Sequence, residues 1–513
     1  MSILDDFRSL ISNNTVNPCN IQTAFTAIHG ITFTKSEAEE ASALFLKLCY
    51  VPIPHENDSC IYGKEEFDSQ RDFSLNFVQS FLNWFRSVDF EVSGVSTFWM
   101  ISIASLFYLQ YSDCDFLWGS TEHFSVAQHL KKTILELSSF ESLEQLFSIN
   151  EASNVLFKVP ECMIFLLKPL LDKNVWKRYP AAVNSARLLL YSTSGRKVGE
   201  LTNLYMPIAL LHLDDYWPSN KIIGLQLLSH LLQNITSTQL QWTGHCDVIN
   251  EVLLKLLHYT ELELLEALYP FLLQYLEKIK YKGPFRFSQE WTFTDSILEI
   301  LERNLMCESQ LALRRIHTKH LSAVLSLLGK SSCRHLVILI PIFRDYLIHR
   351  DSNNEETRLN IINSIETLIE ICPERLSGYH SEVFGCLLRA VYELTPQDIL
   401  VESVENLVLK FVAIDTKNST HILEEILSQS DDLPLNFKSF CNKVLCKINS
   451  SKIYRSLIST YKRKFTIQCI RTVNDSRVLR FCSSNNILLC IAFNNIAFIF
   501  DNQKFLSKYS IKF

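Results

Sequence analysis

The chain has 513 residues, of which 47% are hydrophobic and 20% charged, and its 49 basic and 55 acidic side chains give a net charge of −6. This composition is typical of a folded protein, and the balanced charge argues against the basic surface of a nucleic-acid binding protein. Only 12 residues are glycine, well below the usual ~7%. Because hairpin turns, dinucleotide-binding turns and phosphate loops place glycine at positive φ, glycine-rich enzyme folds are disfavoured.

Targeting and membrane signals are weak. The segment Met1–Phe7 has an acidic pair and no basic stretch, so it does not resemble a signal or transit peptide. The 15 cysteines include no C-x-x-C pair, which predicts reduced thiols in a cytoplasmic protein that is also nuclear. The uncharged segment Val92–Ser112 is long enough to span a bilayer, but it contains Thr97, Gln110 and several serines. We interpret it as a buried helix and predict no transmembrane helix.

Helical periodicity runs along most of the chain. In Glu356–Ile371, the residues Leu359, Ile362 and Ile365 share one stripe, and Pro373 follows the segment. Helix starts recur every roughly 20 to 25 residues, so a helix pair recurs at the spacing of HEAT and armadillo units. We predict an all-α, HEAT/armadillo-like α-solenoid of antiparallel helix pairs. Its predicted helices are Ser36–Tyr50, Glu65–Phe85, Lys221–Asn234, Val248–Tyr259, Leu262–Ile279 (through Pro270), Thr294–Met306, Gln310–Leu328, Arg334–Leu347, Glu356–Ile371, Tyr379–Leu394 and Gln397–Ala413.

Composition suggests three regions. Residues 1–150 are predicted as an N-terminal helical region richer in serine and phenylalanine, and residues 151–465 as the HEAT-like solenoid. Residues 466–513 form a divergent tail, rich in asparagine and β-branched residues. Two apolar runs flank Asn494-Asn495 there, so the alternatives are a hairpin and a poorly ordered tail.

Signatures of catalysis are missing from the sequence. It contains no Walker A loop and no G-x-G-x-x-G, H-E-x-x-H or G-x-S-x-G motif. His317 and His320 lie three apart on one predicted helix, a spacing that could share a metal ion. Structural zinc usually takes four ligands, and no acidic or cysteine partner lies nearby in the sequence. We therefore interpret the pair as a polar helix face and predict no catalytic, metal or cofactor-binding residue.

The most distinctive polar cluster is Asp214–Lys221. One interpretation is a helix start, with a carboxylate cap followed by Pro218 in the first turn. That interpretation leaves the aromatic pair Tyr216-Trp217 unexplained, and an exposed aromatic pair would suit a protein interface.

Arg314 and Arg315 lie near the start of the predicted helix Gln310–Leu328. In one interpretation their aliphatic stems cover the core while their charges stay exposed or pair with Glu308. In the other, at least one guanidinium binds a partner carboxylate through two parallel hydrogen bonds.

Five short segments carry a resemblance to a known family. They are Leu166-Leu167-Lys168-Pro169 with Trp176-Lys177 and Pro180-Ala181, then Asp214-Asp215-Tyr216 with Asn220-Lys221-Ile222-Ile223-Gly224, then Leu313-Arg314-Arg315, then Arg334-His335-Leu336, and then Glu356 with Arg358-Leu359. In this order and spacing, over roughly residues 160–375, the chain resembles the Tel-two-interacting protein two family.

The resemblance implies a non-catalytic α-solenoid that is the third subunit of the TTT complex, beside the Tel-two protein and Tel-two-interacting protein one. It implies a co-chaperone adaptor that passes phosphatidylinositol-3-kinase-related kinases to the ninety-kilodalton heat-shock chaperone through the R2TP assembly. TOR signalling and the DNA damage response would then depend on it, with no cofactor, nucleic acid or membrane involved. The predicted partner-binding residues are Asp214, Asp215, Tyr216, Trp217, Asn220, Lys221, Arg314, Arg315, Arg334 and Arg358.

Two other classes of protein stay open on sequence grounds. A HEAT-type transport receptor would carry a long acidic inner face for basic cargo, which the near-balanced charge disfavours. An enzyme would need a site assembled from distant residues, such as His317 and His320. Stoichiometric zinc in the purified protein would favour this last class.

Overall fold

The structure is a computed structural model. It describes residues 4–12, 18–28, 33–50, 52–53, 62–87, 94–149, 155–280, 290–349, 355–393, 400–429, 433–464, 466–473, 476–483, 486–493, 496–501 and 511–512.

Helices occupy the described chain up to Lys464, and strands follow. The helices are α1 (Asp5–Ser12), α2 (Pro18–Ala27), α3 (Lys35–Cys49), α4 (Glu65–Ser87), α5 (Gly94–Gln110), α6 (Thr121–Ser138), α7 (Leu143–Phe147), α8 (Val159–Leu167), α9 (Pro180–Tyr191), α10 (Arg196–Leu213), α11 (Pro218–Asn234), α12 (Ser237–Trp242), α13 (His245–Leu256), α14 (Leu262–Ile279), α15 (Phe293–Cys307), α16 (Leu311–Leu328), α17 (Leu336–Ile348), α18 (Glu356–Ile371), α19 (Pro373–Leu376), α20 (His380–Glu393), α21 (Leu400–Ile414), α22 (Thr416–Gln429) and α23 (Leu435–Lys464). The strands are β1 (Thr466–Val473), β2 (Ser476–Ser483), β3 (Asn486–Phe493), β4 (Ile496–Asp501) and β5 (Ile511–Lys512).

The predicted helices are confirmed. Glu356–Ile371 has the predicted bounds, and the other predicted helices begin and end within three residues of their predicted limits. The helix α14 continues through Pro270, as predicted. The uncharged segment Val92–Ser112 contains α5, whose Ile101 and Phe107 are fully buried, whereas residues 92 and 93 lie outside the described chain. Among the described helices, none combines the length and the apolar character needed to cross a membrane.

The chain forms two compact units, residues 1–303 and 304–513. In the first unit, α3 packs on α5, α5 on α9, α9 on α11 and α11 on α14, while α2 packs on α4 and α4 on α6. In the second unit, α16, α18 and α21 form one layer, and α17, α20 and α22 form the other. Each unit therefore stacks helices in two layers, as HEAT units do, because each pair buries its apolar face only against its neighbours. The predicted HEAT/armadillo-type α-solenoid fold is confirmed for the helical part of each unit, which reaches Lys464 in the second unit.

Aromatic rings fill the beginning of the first unit. The ring of Phe45 lies 4.9 Å from that of Phe7 and 5.5 Å from that of Phe25, measured between centroids. Phe81 and Trp84 extend the same cluster. Such pairs add about 0.5–1.5 kcal/mol each beyond the burial of their surface. The phenylalanine-rich composition of this region is therefore explained by core packing.

A lysine is buried within the first unit. The side chain of Lys197, in the first turn of α10, is fully buried. Its ammonium group lies 2.6 Å from Glu161 and 3.4 Å from Glu200, and 3.6 Å from the ring centroid of Phe157. The two carboxylates compensate the cost of removing this charge from water.

The C-terminal segment is a five-stranded antiparallel sheet in the order β1-β2-β3-β4-β5. Strands β3 and β4 pair with Leu489 opposite Phe500 and Phe493 opposite Ile496. In the structure, β3 and β4 form a hairpin within a larger meander. The residues Asn494-Asn495 between the paired strands lie outside the described chain. The β-branched and aromatic residues of this segment favour strands.

Candidate functional site

The turn between α10 and α11 carries most of the predicted cluster. Trp217 is the N-cap residue of α11, it makes no side-chain cap, and Pro218 occupies the first turn, as predicted. The predicted carboxylate cap is wrong. Asp214 instead ends α10, and its backbone N–H donates to the carbonyl oxygen of Leu210 at 2.9 Å. Pro218, with its fixed φ, begins α11 too far along the chain for Asp214 to cap it.

Asp215 is a buried ion-pair partner. Its side chain is 7% exposed, and one carboxylate oxygen lies 2.7 Å from Nζ of Lys177. The other oxygen accepts a hydrogen bond from Nδ2 of Asn220 at 2.5 Å. Burial alone would raise the pKa of Asp215, but the hydrogen bonds from Asn220 and Lys177 outweigh it and hold this pKa below its ordinary value. Asp215 therefore ties the turn to the residues that precede α9.

Lys221 fixes the end of α10. Its side chain is buried, its Nζ donates to the carbonyl oxygen of Leu213 at 2.8 Å, and the ammonium lies 4.7 Å from the ring centroid of Tyr259. This contact satisfies one carbonyl that the helix end leaves without an intrahelical partner. Asn220 is also buried. Both side chains are thus bound within the chain, and their role in partner binding stays a prediction.

Gly224 lets α10 and α11 approach closely. A Cβ atom at this position would lie 2.7 Å from Cγ of Leu213 and 2.9 Å from the carbonyl oxygen of Ala209. Both distances are shorter than van der Waals contact, so only glycine fits here. The close approach places Lys221 within reach of the last carbonyl of α10.

The aromatic pair is the exposed part of the cluster. Tyr216 is 82% exposed, whereas Trp217 is half-buried, and their ring centroids lie 6.0 Å apart at an interplanar angle of 87°. Because Asp215 is ion-paired on one side and Pro218 begins a helix on the other, the backbone that carries Tyr216 is constrained. Aromatic side chains on constrained backbone are typical anchors of protein interfaces.

The predicted arginines lie in the second unit and are partly engaged there. The guanidinium carbon of Arg314 lies 3.9 Å from the ring centroid of Tyr346 on α17. Nε of Arg315 is 3.9 Å from a carboxylate oxygen of Glu356 on α18, and Arg334 donates to Oγ of Ser331 at 3.1 Å. These contacts agree with the interpretation in which the stems cover the core, with Tyr346 of α17 beside Arg314 and Glu356 of α18 beside Arg315.

Arg358 is a core residue. Its side chain is 1% exposed and lies 3.5 Å from Glu355 and 3.2 Å from Glu393. It also donates to the carbonyl oxygen of Ile348 at 3.3 Å. Its long side chain thus reaches carboxylates inside the stack, and its role in partner binding stays a prediction.

The histidine pair lies on α16. His317 is buried and His320 is half-buried. Burial lowers the pKa of both imidazoles. The pKa of His320 falls to about 4, because the nearby charge of Lys319 adds to the effect of burial. In the described chain, the side chains grouped closely enough to share a metal ion are Asp113, Cys114 and Asp115, all exposed. The two histidines are not part of that group.

The lysine that pairs with Asp215, Lys177, is absent from the predicted partner-binding residues. Lys177 belongs to the family-like segment Trp176-Lys177, but the sequence gives no sign that it pairs with Asp215. The two residues are far apart along the chain and meet only because α9 and α11 are neighbours. The one sequence feature that links Lys177 and Asp215 is that both residues occur in the segments that resemble the family.

The stacked helices and the constrained, aromatic-bearing turn define a helical-repeat protein of the HEAT/armadillo type. Residues 167–350 match the model of the Tti2 family. This range contains the turn between α10 and α11 and the arginines Arg314, Arg315 and Arg334. The predicted family resemblance is confirmed.

Three curated relatives have the name TELO2-interacting protein 2. The chain is 27% identical to the mouse protein over 287 residues, which is 55% of each chain. It is 25% identical to the rat protein over 317 residues, or 57% of this chain and 60% of the relative. It is 26% identical to the human protein over 299 residues, which is 57% of this chain and 58% of the relative. The chain thus spans little more than half the length of the relatives it matches.

Solved structures to which the chain is similar include crystal structures of the karyopherin Kap121p. The structure bound to RanGTP has a TM-score of 0.43 and 12% identity, and the match covers 91% of this chain and 48% of that one. Kap121p alone has a TM-score of 0.40 and 12% identity, with coverage of 86% and 46%.

Proposed function

We propose that this chain is a non-catalytic scaffold subunit that binds a TELO2-type protein within a TTT-type complex. The observation that carries this proposal is the match of residues 167–350 to the Tti2 family, together with three relatives named for their interaction with TELO2. The complex would also contain a counterpart of Tel-two-interacting protein one. It would act in the cytoplasm and nucleus.

The turn between α10 and α11 supports a binding role. Tyr216 is exposed on a backbone held by the Lys177–Asp215 ion pair and by the hydrogen bond from Lys221 to Leu213. A side chain held in this way loses little conformational freedom when it binds, so more of its contact energy appears as affinity. We take Tyr216 as the central anchor of the proposed surface, with Asp214 and Trp217 beside it.

Co-purification tests the binding role. The chain is co-expressed with the TELO2-type and Tel-two-interacting protein one counterparts of its own organism, and complexes are separated by size-exclusion chromatography. We expect the wild type to co-elute with both. Tyr216→Ser should weaken the affinity at least tenfold, as for a hot-spot residue. The matched control is Trp242→Ser, which changes an aromatic residue of α12 that is 86% exposed and lies outside the proposed surface.

A wild-type chain that elutes alone in every mixture would refute the proposed complex. Equal affinity of wild type and Tyr216→Ser would leave the complex intact but remove Tyr216 from its interface.

The proposed cellular role is to support the maturation of phosphatidylinositol-3-kinase-related kinases with the heat-shock chaperone and R2TP. Rapid depletion of the chain should lower the steady-state amounts of these kinases without changing their messenger RNAs. Quantitative proteomics measures both the kinases and unrelated kinases as a control. Unchanged kinase amounts after full depletion would contradict this role.

A further inference from the structure

A small cleft lies in the first unit between α9 and α11. Its volume is about 170 Å³, smaller than the ~300–1,000 Å³ of a typical small-molecule site. Asn184 and Arg187 line it from α9, and the indole rings of Trp118 and Trp176 form part of its apolar wall. A space of this size suits a single inserted side chain. The polar atoms in its lining then determine what kind of side chain that is.

Asn184 offers an unused hydrogen-bond donor. Its side chain is 8% exposed, and its Oδ1 accepts a hydrogen bond from Nη2 of Arg187 at 2.9 Å. Because a guanidinium can only donate, this contact identifies Oδ1 and leaves the amide nitrogen as the other atom. That nitrogen, Nδ2, is buried without a hydrogen-bond partner. Buried donors without partners are uncommon in folded proteins and suggest a ligand that supplies the acceptor.

The charges at the cleft favour an anion. Lys177 also lines the cleft, but Asp215 pairs with it at 2.7 Å. Within the described chain, Arg187 has no carboxylate within 4.0 Å. One unpaired guanidinium beside one unused amide donor matches the two oxygens of a carboxylate. The indole N–H of Trp118 already donates to the carbonyl oxygen of Gln110 at 2.7 Å, so that ring presents its apolar surface.

We infer that this cleft binds a glutamate or aspartate side chain from an acidic segment of the partner protein, an inference that rests on the proposed function. The carboxylate accepts hydrogen bonds from Asn184 and Arg187, and its methylene groups lie against Trp118 and Trp176. The ion pair of Lys177 with Asp215 joins the rim of the cleft to the turn that carries Tyr216. A partner bound at Tyr216 can therefore place an acidic segment in the cleft.

The test measures the affinity of the full chain for the reconstituted TELO2-type partner by biolayer interferometry. The variants are Asn184→Leu, which removes the amide donor, and Arg187→Gln, which removes the charge. Both should weaken binding at least tenfold while the melting temperature stays within a few degrees of wild type. Arg196→Gln is the matched control, because it removes an arginine charge that is 80% exposed and does not line the cleft. Added salt should weaken the wild type more than Arg187→Gln.

A second probe identifies the occupant. Overlapping 15-residue synthetic peptides of the partner are titrated against the full chain, each with a copy in which Glu and Asp are replaced by Gln and Asn. We expect at least one acidic peptide to bind the wild type and to lose binding in its neutral copy and against both variants.

Several results would overturn the inference. If both variants bind the partner as tightly as the wild type, the inference about the cleft is overturned, while the proposed complex is unaffected. Inorganic phosphate that displaces the peptide at equal concentration would indicate a general anion site. Self-association that Arg187→Gln abolishes would indicate a second copy of the chain. If the wild type binds no partner, the proposed function fails first, and an acidic peptide that still binds through Asn184 and Arg187 would keep the cleft assignment alone. Should Asn184→Leu fail to fold, Arg187→Gln gives the same comparisons.

Discussion

Replacing Gly224 by alanine tests how closely α10 and α11 pack. The added Cβ would lie 2.7 Å from Cγ of Leu213 and 2.9 Å from the carbonyl oxygen of Ala209. Carbon atoms in contact prefer about 3.5–4.0 Å, so the two helices would have to separate by roughly 1 Å. The leucine can rotate, but the backbone carbonyl cannot. Overpacking of this kind costs about 1–3 kcal/mol, and we expect the upper half of that range.

Alanine also stabilises a helix interior by about 1 kcal/mol relative to glycine. The net loss for Gly224→Ala is therefore about 1–2 kcal/mol, which lowers the melting temperature by roughly 2–8 °C. Thermal unfolding followed by circular dichroism measures this change. The control is Gly199→Ala in α10, where the nearest atom to the new Cβ is the side chain of Gln239 at an ordinary 3.5 Å. That variant should be unchanged or more stable. Equal melting of Gly224→Ala and wild type would refute the close-packing argument.

Four further substitutions probe the charged side chains. Asp215→Asn should lower the free energy of unfolding at neutral pH. Because the pKa of Asp215 is depressed, the difference in free energy of unfolding from wild type should be complete above pH 3.8 and shrink as the pH falls below it. A difference that persists in acid would contradict the ion pair with Lys177. Arg314→Lys should cost about 0.5–1 kcal/mol of stability, because a lysine does not reproduce a guanidinium stacked on a tyrosine ring. Arg315→Lys should melt as wild type, because the carboxylate of Glu356 lies 3.9 Å from the Arg315 guanidinium. The reverse order of the two losses would refute the stacking of Arg314 on Tyr346. Arg358→Ala should cost about 3 kcal/mol in urea unfolding, since it breaks a buried charge cluster, and a loss below about 1 kcal/mol would contradict this core role.

Helix positions could be predicted from the sequence because they depend on local periodicity. Glu356–Ile371 has an apolar residue at each turn and a proline after its end, and the structure has the same bounds. The C-terminal sheet was harder to predict. Strands β3 and β4 have apolar residues at consecutive positions, so short runs such as Asn486–Phe493 do not alternate as half-buried strands do.

The roles of the charged side chains could not be predicted, because they depend on which helices become neighbours. In an isolated pair of helices, the polar side of each helix would face solvent. In a two-layer stack, however, each helix also contacts the units before and after it, so Lys221 and Arg358 are covered at positions off the apolar stripe. Long aliphatic stems let such residues be buried while their charges reach a partner. Tyr216, in the turn between α10 and α11, is exposed, as the sequence predicts.

Two buried lysines in the described part of the first unit, Lys197 and Lys221, make local opening of this unit chemically observable. Amine-reactive reagents modify a lysine only when its nitrogen is accessible, and the side chain of Lys197 is fully buried while Lys221 is nearly so. Exposed lysines such as Lys255 react directly with the reagent. Lys197 and Lys221 should react only at the rate at which the helices around α10 separate. The ratio of labelling rates at these sites, read by mass spectrometry, would therefore report the free energy of local opening in the unmodified protein, with and without a bound partner.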